Sequence, residues 1–312
     1  MIFLHRSYAT LTDFIYDLTG LYIPLPIYSF GFFVALAIFT CFAFAYFELK
    51  RKAKNGEFKY IERKKKDKTL YYLPHQLAAN MSMRSVVWGF VGAKLFYLLE
   101  SPQEIKYIFQ DPLLFLTSGL TVYGGIIFGF FSVLFDAKRY KISFWKLADA
   151  TAPGLMFSYG VGRLGCHVSG DGDWGRVNSH EKPEFFSFLP DWLWAHDYPH
   201  NIIDAGKPIE GCVEKHCYVL AEAVYPTPVY EFFICLLLFS LIWWLRKKIF
   251  IPGILFGVYL VLNGIERFFI EFIRVNQLYE ILWFHLSQAQ IISVLLVLSG
   301  FVLIFYMVYK KK

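Results

Sequence analysis

The chain has 312 residues, of which 56% are hydrophobic, 20% aromatic and only 18% charged, with a net charge of +6. A soluble domain is nearer half apolar and a quarter charged, so an ordinary soluble enzyme is excluded. The positive balance would point to nucleic acid in a soluble protein, but here the cations cluster at the ends of apolar runs and no nucleic-acid partner is expected.

About 20 apolar residues cross the hydrocarbon core of a bilayer, and about seven runs approach that length. In chain order they cover 27–47, 85–100, 113–136, 144–165, 228–245, 253–273 and 288–308. The second is short, and a helix continuing back through 78–84 completes it. The fold class expected is an all-α integral membrane protein, a single polytopic domain over 1–312. The first run begins near Pro26 and is too long for a signal-peptide core, so no cleavable signal peptide is expected and the run serves as an anchor.

The basic residues follow every second run. Lys50 to Lys68 is a dense basic stretch; Lys138, Arg139 and Lys141 follow the third run, Arg246 to Lys248 the fifth, and Lys310 to Lys312 the seventh. This positive-inside pattern puts the N-terminus outside and the C-terminus in the cytoplasm. Residues 166–226, rich in Asp, Gly, Trp, Pro and His, then form a small extracytoplasmic cap between spans four and five. Trp174, Trp192 and Trp194 suit the membrane interface there. Cys212 and Cys217 flank His216, and a disulfide and a metal site are both open readings. Cys41 and Cys235 lie in spans and read as small apolar residues.

Ionisable residues in a span are costly and usually mark function. Lys94 and Tyr97 lie toward the outer end of span two, Tyr123, Gly124 and Gly125 in the outer half of span three, and Arg163 at the outer end of span four. Tyr230 and Glu231 open span five, and Arg267, Glu271 and Arg274 close span six. Polar residues of separate helices at one bilayer level describe a site. Asn263, Arg267, Glu271 and Arg274 recur at steps of four, four and three and share one helical face. Glu271 can pair with Arg267 or Arg274, leaving surplus positive charge; Arg163 and Lys94 add to it. An ion-pair staple between helices is the structural alternative, but an anion is expected to balance so many cations. The planar guanidinium suits a phosphate.

Three further segments surround these residues. GVGRLGCHVSGDGDWG (160–175) places six glycines around Arg163, Asp171 and Asp173. Backbone leaving helical geometry there must be buried in protein or line a wet cavity. In LTVYGGIIFG (120–129) the paired glycines allow close helix packing or access for a ligand. YPTPVYE (225–231) starts span five with prolines and then a Tyr-Glu pair.

Together these segments resemble the family of phosphatidylglycerol–prolipoprotein diacylglyceryl transferases, bacterial membrane enzymes that start lipoprotein maturation. GRLGCHVSGDGDWG looks like the family signature, NGIERFFIEFIR (263–274) is similar to its Arg-x3-Glu-x2-Arg helix, YPTPVYE to its Pro-Ser/Thr-x-x-Tyr-Glu element and VYGGIIFG to its aromatic-or-His-Gly-Gly element. GAKLFY (92–97), IYSFG (27–31) and LSQAQIIS (286–293) match in place. Some positions depart: Tyr123 stands where many members have a histidine, Cys166 replaces a common asparagine, Phe30 stands where a tyrosine is common with Tyr28 close by, and an extra residue precedes Trp174. Whether Asp171 or Asp173 matches the family's acid is open.

The resemblance implies seven spans in the bacterial inner membrane and transfer of a diacylglyceryl group from phosphatidylglycerol to the thiol of a prolipoprotein's lipobox cysteine, with glycerol phosphate leaving. The thiolate is the reactive form, and the departing phosphate needs its charge neutralised. Arg163 and Arg267 are expected to hold the phosphate, Glu271 to orient Arg267, and Arg274 to supplement the field. Asp171, Asp173 or Tyr123 assists thiol deprotonation. Lys94, Tyr97, Gly124, Gly125, Tyr230, Glu231, Asn263 and Tyr28 are expected to contribute to substrate binding. No cofactor or metal is implied. Two rivals are an organic-anion transporter, which should carry polar residues on to the inner face, and another phospholipid headgroup transferase, which generally uses a paired-Asp metal-binding helix not found here.

Overall fold

The computed structural model describes residues 5–24, 27–65, 68–106, 110–112, 115, 119–281 and 284–311. The chain is mostly helical. Its helices are α1 (Leu11–Thr19), α2 (Ser29–Lys54), α3 (Pro74–Glu100), α4 (Val122–Arg139), α5 (Phe144–Ser169), α6 (Asp191–Trp194), α7 (Thr227–Leu245), α8 (Ile254–Ile270) and α9 (Gln288–Lys311). Antiparallel two-stranded pairs join Ile61–Lys65 (β1) to Lys68–Tyr72 (β2), Lys207–Pro208 (β3) to Tyr218–Val219 (β4), and Leu278–Ile281 (β5) to Phe284–Ser287 (β6).

Helices occur over each expected span, with shifted bounds. The second runs back to Pro74. In the third, helix is described from Val122, and 113–114 and 116–118 lie outside the described residues, as do Pro26, Lys66 and Lys312. The sixth ends as α-helix at Ile270 and tightens into a 3-10 turn over Glu271–Ile273. Among the described residues, three helices, α2, α7 and α9, are long and apolar enough to cross a membrane. The other expected spans are shorter or more polar: α4 carries Asp136, Lys138 and Arg139 within its 18 residues, and α8 has 17 residues.

The described chain divides into two compact units, Met1–Cys41 with Ala152–Lys312, and Phe42–Thr151. In the second unit α3 and α4 approach closely at Gly92 and Gly124, where a Cβ on Gly124 would lie 2.2 Å from the Gly92 carbonyl oxygen. Gly124 therefore serves helix packing, one of its two sequence readings. Gly125 faces Gly89 across the same seam at an ordinary 3.5 Å. Leu49, Ile61, Leu77, Met81, Tyr140 and Leu147 form the core of this unit. Buried charge is paired at its basic end: Arg84 with Asp136 at 2.8 Å, and Glu48 with Arg51 at 2.5 Å. The ammonium of buried Lys94 donates to the Phe115 carbonyl and lies 5.8 Å from the centre of the Tyr97 ring. Tyr123 is 42% exposed.

In the first unit, α8 and α9 pack through Gly257, Gly264 and Gly300, each of which meets the other helix too closely for a side chain. Met156 of α5, Cys235 and Ile242 of α7 and Leu255 of α8 form the adjoining core. The glycine-rich segment stays helical through Ser169, four residues past the expected end of span four, and within it Gly160 lets Cys235 approach and Gly165 lets Phe33 of α2 approach. The backbone leaves the helix only at Gly170 and Gly172, with φ of +64° and +95° that favour glycine.

The chain between Gly170 and α7 folds into a compact loop region, the expected cap. Trp174 and Trp192 pack inside it rather than standing alone: Trp174 lies 4.9 Å from the Tyr198 ring and Trp192 lies 5.7 Å from His167. The Trp194 indole N–H donates to the His180 carbonyl at 2.9 Å. Cys212 and Cys217 form a disulfide, which resolves the open reading of that loop.

Candidate functional site

Three segments of the first unit converge: the glycine-rich turn, the start of α7 and the chain just beyond α8. The N–H of Gly175 donates to the Tyr225 carbonyl at 2.8 Å, that of Arg176 to Ile273 at 2.8 Å, and the Thr227 hydroxyl to the Asp173 carbonyl at 3.2 Å. Gly175 pairs as an isolated bridge with Arg274. A Cβ on Gly175 would stand 2.6 Å from the Ile273 carbonyl oxygen, so glycine is required where the signature segment meets the end of α8.

Those joints bring Arg163 of α5, Glu231 of α7, Arg267 of α8, and Glu271 and Arg274 beyond it to one place. Glu231 is fully buried and is shared by three arginines. Its Oε1 lies 3.0 Å from Arg274 and 3.4 Å from Arg267; its Oε2 meets the Arg163 guanidinium and accepts from the Tyr159 hydroxyl at 3.1 Å. Arg267 also pairs with Glu271 at 2.9 Å. Glu271 accepts from the Asn276 amide, and Asp173 takes Arg163 on one oxygen and Arg274 on the other.

The steps of four and three thus hold: Arg267, Glu271 and Arg274 face one way and meet Arg163. The expected positive surplus does not. Asp173, Glu231 and Glu271 face the three guanidinium groups, because the cap turn and the start of α7 each bring a carboxylate that helix spacing in α8 alone does not reveal. Of the three acids, Glu231 and Glu271 have side chains at most 1% exposed, whereas that of Asp173 is 36% exposed.

The two cap aspartates are driven apart electrostatically. Burial raises the Asp171 carboxyl above the usual carboxylate range, and the neighbouring charge of Asp173 adds to this against the hydrogen bond with Cys166. Burial would also raise Asp173, but Arg163 and Arg274 outweigh it and hold that carboxyl below the usual range. The ligand atoms of Cys166, Asp171 and Asp173 lie within 4.8 Å of one another. Both oxygens of Asp173 already face guanidinium groups, so the trio suits arginine rather than a metal ion.

The remaining predicted residues stand apart from these ion pairs. The Tyr230 hydroxyl donates to the Leu193 carbonyl at 2.8 Å and ties α7 to the cap. Tyr28 is 62% exposed and bridges Thr10 through its backbone; Asn263 joins none of the ion pairs. Lys94, Tyr97, Tyr123, Gly124 and Gly125 belong to the second unit. Two residues escape the sequence reading. Tyr159 sits one turn before Arg163 and joins it to Glu231, a spacing that i,i+4 pairing could have flagged. Glu266 is buried next to Arg267 and lies off the face that the arginines define.

A family model described as prolipoprotein diacylglyceryl transferase matches residues 18–306. A phosphatidylglycerol–prolipoprotein diacylglyceryl transferase of Leptospira interrogans is 28% identical, with 71% of this chain and 77% of that protein covered. One of Clostridium botulinum is 30% identical, covering 75% and 81%, and one of Clostridium perfringens 26%, covering 72% and 76%.

Proposed function

The chain belongs to the prolipoprotein diacylglyceryl transferase family, and from that premise we infer that it is the enzyme which moves the diacylglyceryl group of phosphatidylglycerol to a prolipoprotein. The thiol of the acceptor cysteine attacks the glyceryl carbon, a thioether forms and glycerol phosphate leaves. The observation that carries this reading is the meeting of Arg163, Arg267 and Arg274 around Glu231. Three forks on one spot are a receptacle for a phosphate.

A phosphate must displace a carboxylate from arginines that already face acids. Asp173 is the exchangeable one, since it is the most exposed of the three and is held by two arginines that the phosphate can take over. Glu231 and Glu271 stay as the buried frame that keeps the forks aimed. Asp171 is the favoured base among the three candidates: it touches the Cys166 thiol, it forms no ion pair among the described residues, and burial raises its affinity for protons by more than nearby Arg163 lowers it, which suits uptake from a thiol. Arg163 and Arg267 stabilise the phosphate as it departs, and Arg274 supplements them.

The chain is further read as a multi-pass protein of the bacterial inner membrane with seven spans, the N-terminus and cap outside and the C-terminus in the cytoplasm. Three apolar helices support the membrane setting. Basic last turns in α2, α4 and α9 support the orientation, as does the cap disulfide, since such bonds persist in oxidising compartments.

Purified protein given labelled phosphatidylglycerol and a lipobox peptide should form the thioether. Arg163→Ala and Arg267→Ala should each lower the rate by at least ~100-fold while the protein still inserts. Full activity in either variant refutes the phosphate-binding assignment. Solute flux without product would point instead to an anion transporter, and exchange of the headgroup alone to a headgroup transferase.

A further inference from the structure

Among the described residues, one carboxylate beside the arginine site forms no ion pair of its own. Glu266, on α8, is 5% exposed, and among the described residues neither of its oxygens has a hydrogen-bond donor. Among the described residues, the charged and titratable groups that act on it most strongly are those of the site, with Cys235 of the adjoining core beside them. α7 supplies Glu231 and Cys235, α5 supplies Tyr159 and Arg163, and α8 with its continuation supplies Arg267 and Arg274. The three guanidinium groups are already matched by Asp173, Glu231 and Glu271. A further ionised carboxylate, buried without a donor and beside Glu231, would be uncompensated, and such a charge is too costly to keep. A carboxylic acid there stays neutral by keeping its proton, as buried acids in apolar sites do.

We propose that Glu266 is the general acid of the transfer, carrying a proton in the resting protein and giving it to the phosphate oxygen that leaves. This role rests on the transferase reading above. The sulfur of the acceptor thiol forms its bond to the glyceryl carbon, the bond from that carbon to the phosphate oxygen breaks, and its electron pair goes to the oxygen. That oxygen takes the proton of Glu266 and departs as part of glycerol phosphate. The thiol proton, removed by the base, returns the site to its starting charge once it reaches Glu266. The phosphodiester carries one negative charge and the free monoester up to two. A proton source inside the arginine cluster removes the extra charge as it develops and lets the product leave arginines that would otherwise retain it.

The test compares the whole protein with its Glu266→Gln and Glu266→Asp variants in detergent. Glutamine copies the shape of the neutral acid but holds no transferable proton. It should leave binding of phosphatidylglycerol within about twofold, slow thioether formation by ~10²–10⁴-fold and abolish the fall of kcat on the alkaline side. Aspartate should recover part of the rate. The infrared difference between wild type and Glu266→Gln should contain the carbonyl stretch of a protonated carboxyl at neutral pH. Wild-type rates and an unchanged pH profile in Glu266→Gln would overturn the proposal, and so would absence of that band. If wild type makes no thioether, the transferase reading falls and the acid role with it, whereas an inactive glutamine variant beside an active wild type supports the acid alone.

Discussion

Glu231 is the residue on which the site depends most, because three guanidinium groups from α5, α8 and the segment beyond share one fully buried carboxylate. Removing one partner of a buried ion pair leaves the others uncompensated and costs about 3–5 kcal/mol. Glu231→Ala should therefore lower stability by that order in thermal unfolding of the detergent-solubilised protein; a loss under ~1 kcal/mol, typical of an exposed pair, would show that the carboxylate is dispensable. Asp171 and Asp173 should respond in opposite senses. Asp173 has a lowered folded pKa, so it contributes stability above the ordinary carboxylate range that is lost as pH falls through its folded value. Asp171 has a raised folded pKa, so its contribution is present in acid and is lost as pH rises through the raised value. At neutral pH, Asp173→Asn should lower the melting temperature. Asp171→Asn should raise it while abolishing transfer, as expected of a base kept at a cost to the fold. A fall in melting temperature for Asp171→Asn would contradict that assignment.

At the scale of elements, the signature segment works because it changes geometry at a defined point. It is helical through Ser169, turns at Gly170 and Gly172, and at Gly175 lies against the end of α8. Gly175→Ala should push a methyl into the Ile273 carbonyl and shift Arg274, costing about 1–3 kcal/mol and most of the transfer rate. Gly162→Ala meets nothing within 4 Å and lies inside α5; it should be tolerated, with a gain in helix stability of up to ~1 kcal/mol. Equal losses in both variants would mean that glycine is needed along the segment for another reason. That Arg267, Glu271 and Arg274 meet on one side was legible from the sequence because helical spacing brings residues three and four apart together, although the α-helix gives way to a 3-10 turn at Glu271 and Arg274 is extended. Asp173 and Glu231 were legible as site residues, but their pairing with these arginines was not, because they reach them through a loop turn and a separate helix. Glu266 stayed hidden for the complementary reason: it falls between the positions that the period selects, and only burial reveals an acid with no donor.

Across the whole molecule, the helices over the seven expected runs follow from hydropathy, while α3, α4, α5 and α8 carry more polar residues than a lipid-facing span tolerates. Each of them buries some of that polarity, as Lys94, Asp136, Asp149 and Glu266 illustrate. Ionisable side chains in a span face protein rather than lipid, and α2, α7 and α9 stand out from the rest by length as well as composition, since α8 has only 17 residues. The proposed orientation is supported by charge and by redox chemistry together: it puts the basic end of α2, Lys50 to Lys54, in the cytoplasm and the Cys212–Cys217 disulfide outside. In intact cells a membrane-impermeant maleimide should react with Glu184→Cys in the cap and not with Asn55→Cys after α2, both positions being exposed. Cys212 and Cys217 should become reactive from the same side only after a reductant is added. Labelling of Asn55→Cys with silence at Glu184→Cys would invert the protein, put the arginine site beside the cytoplasmic leaflet, and leave a translocated lipobox cysteine with no route to it.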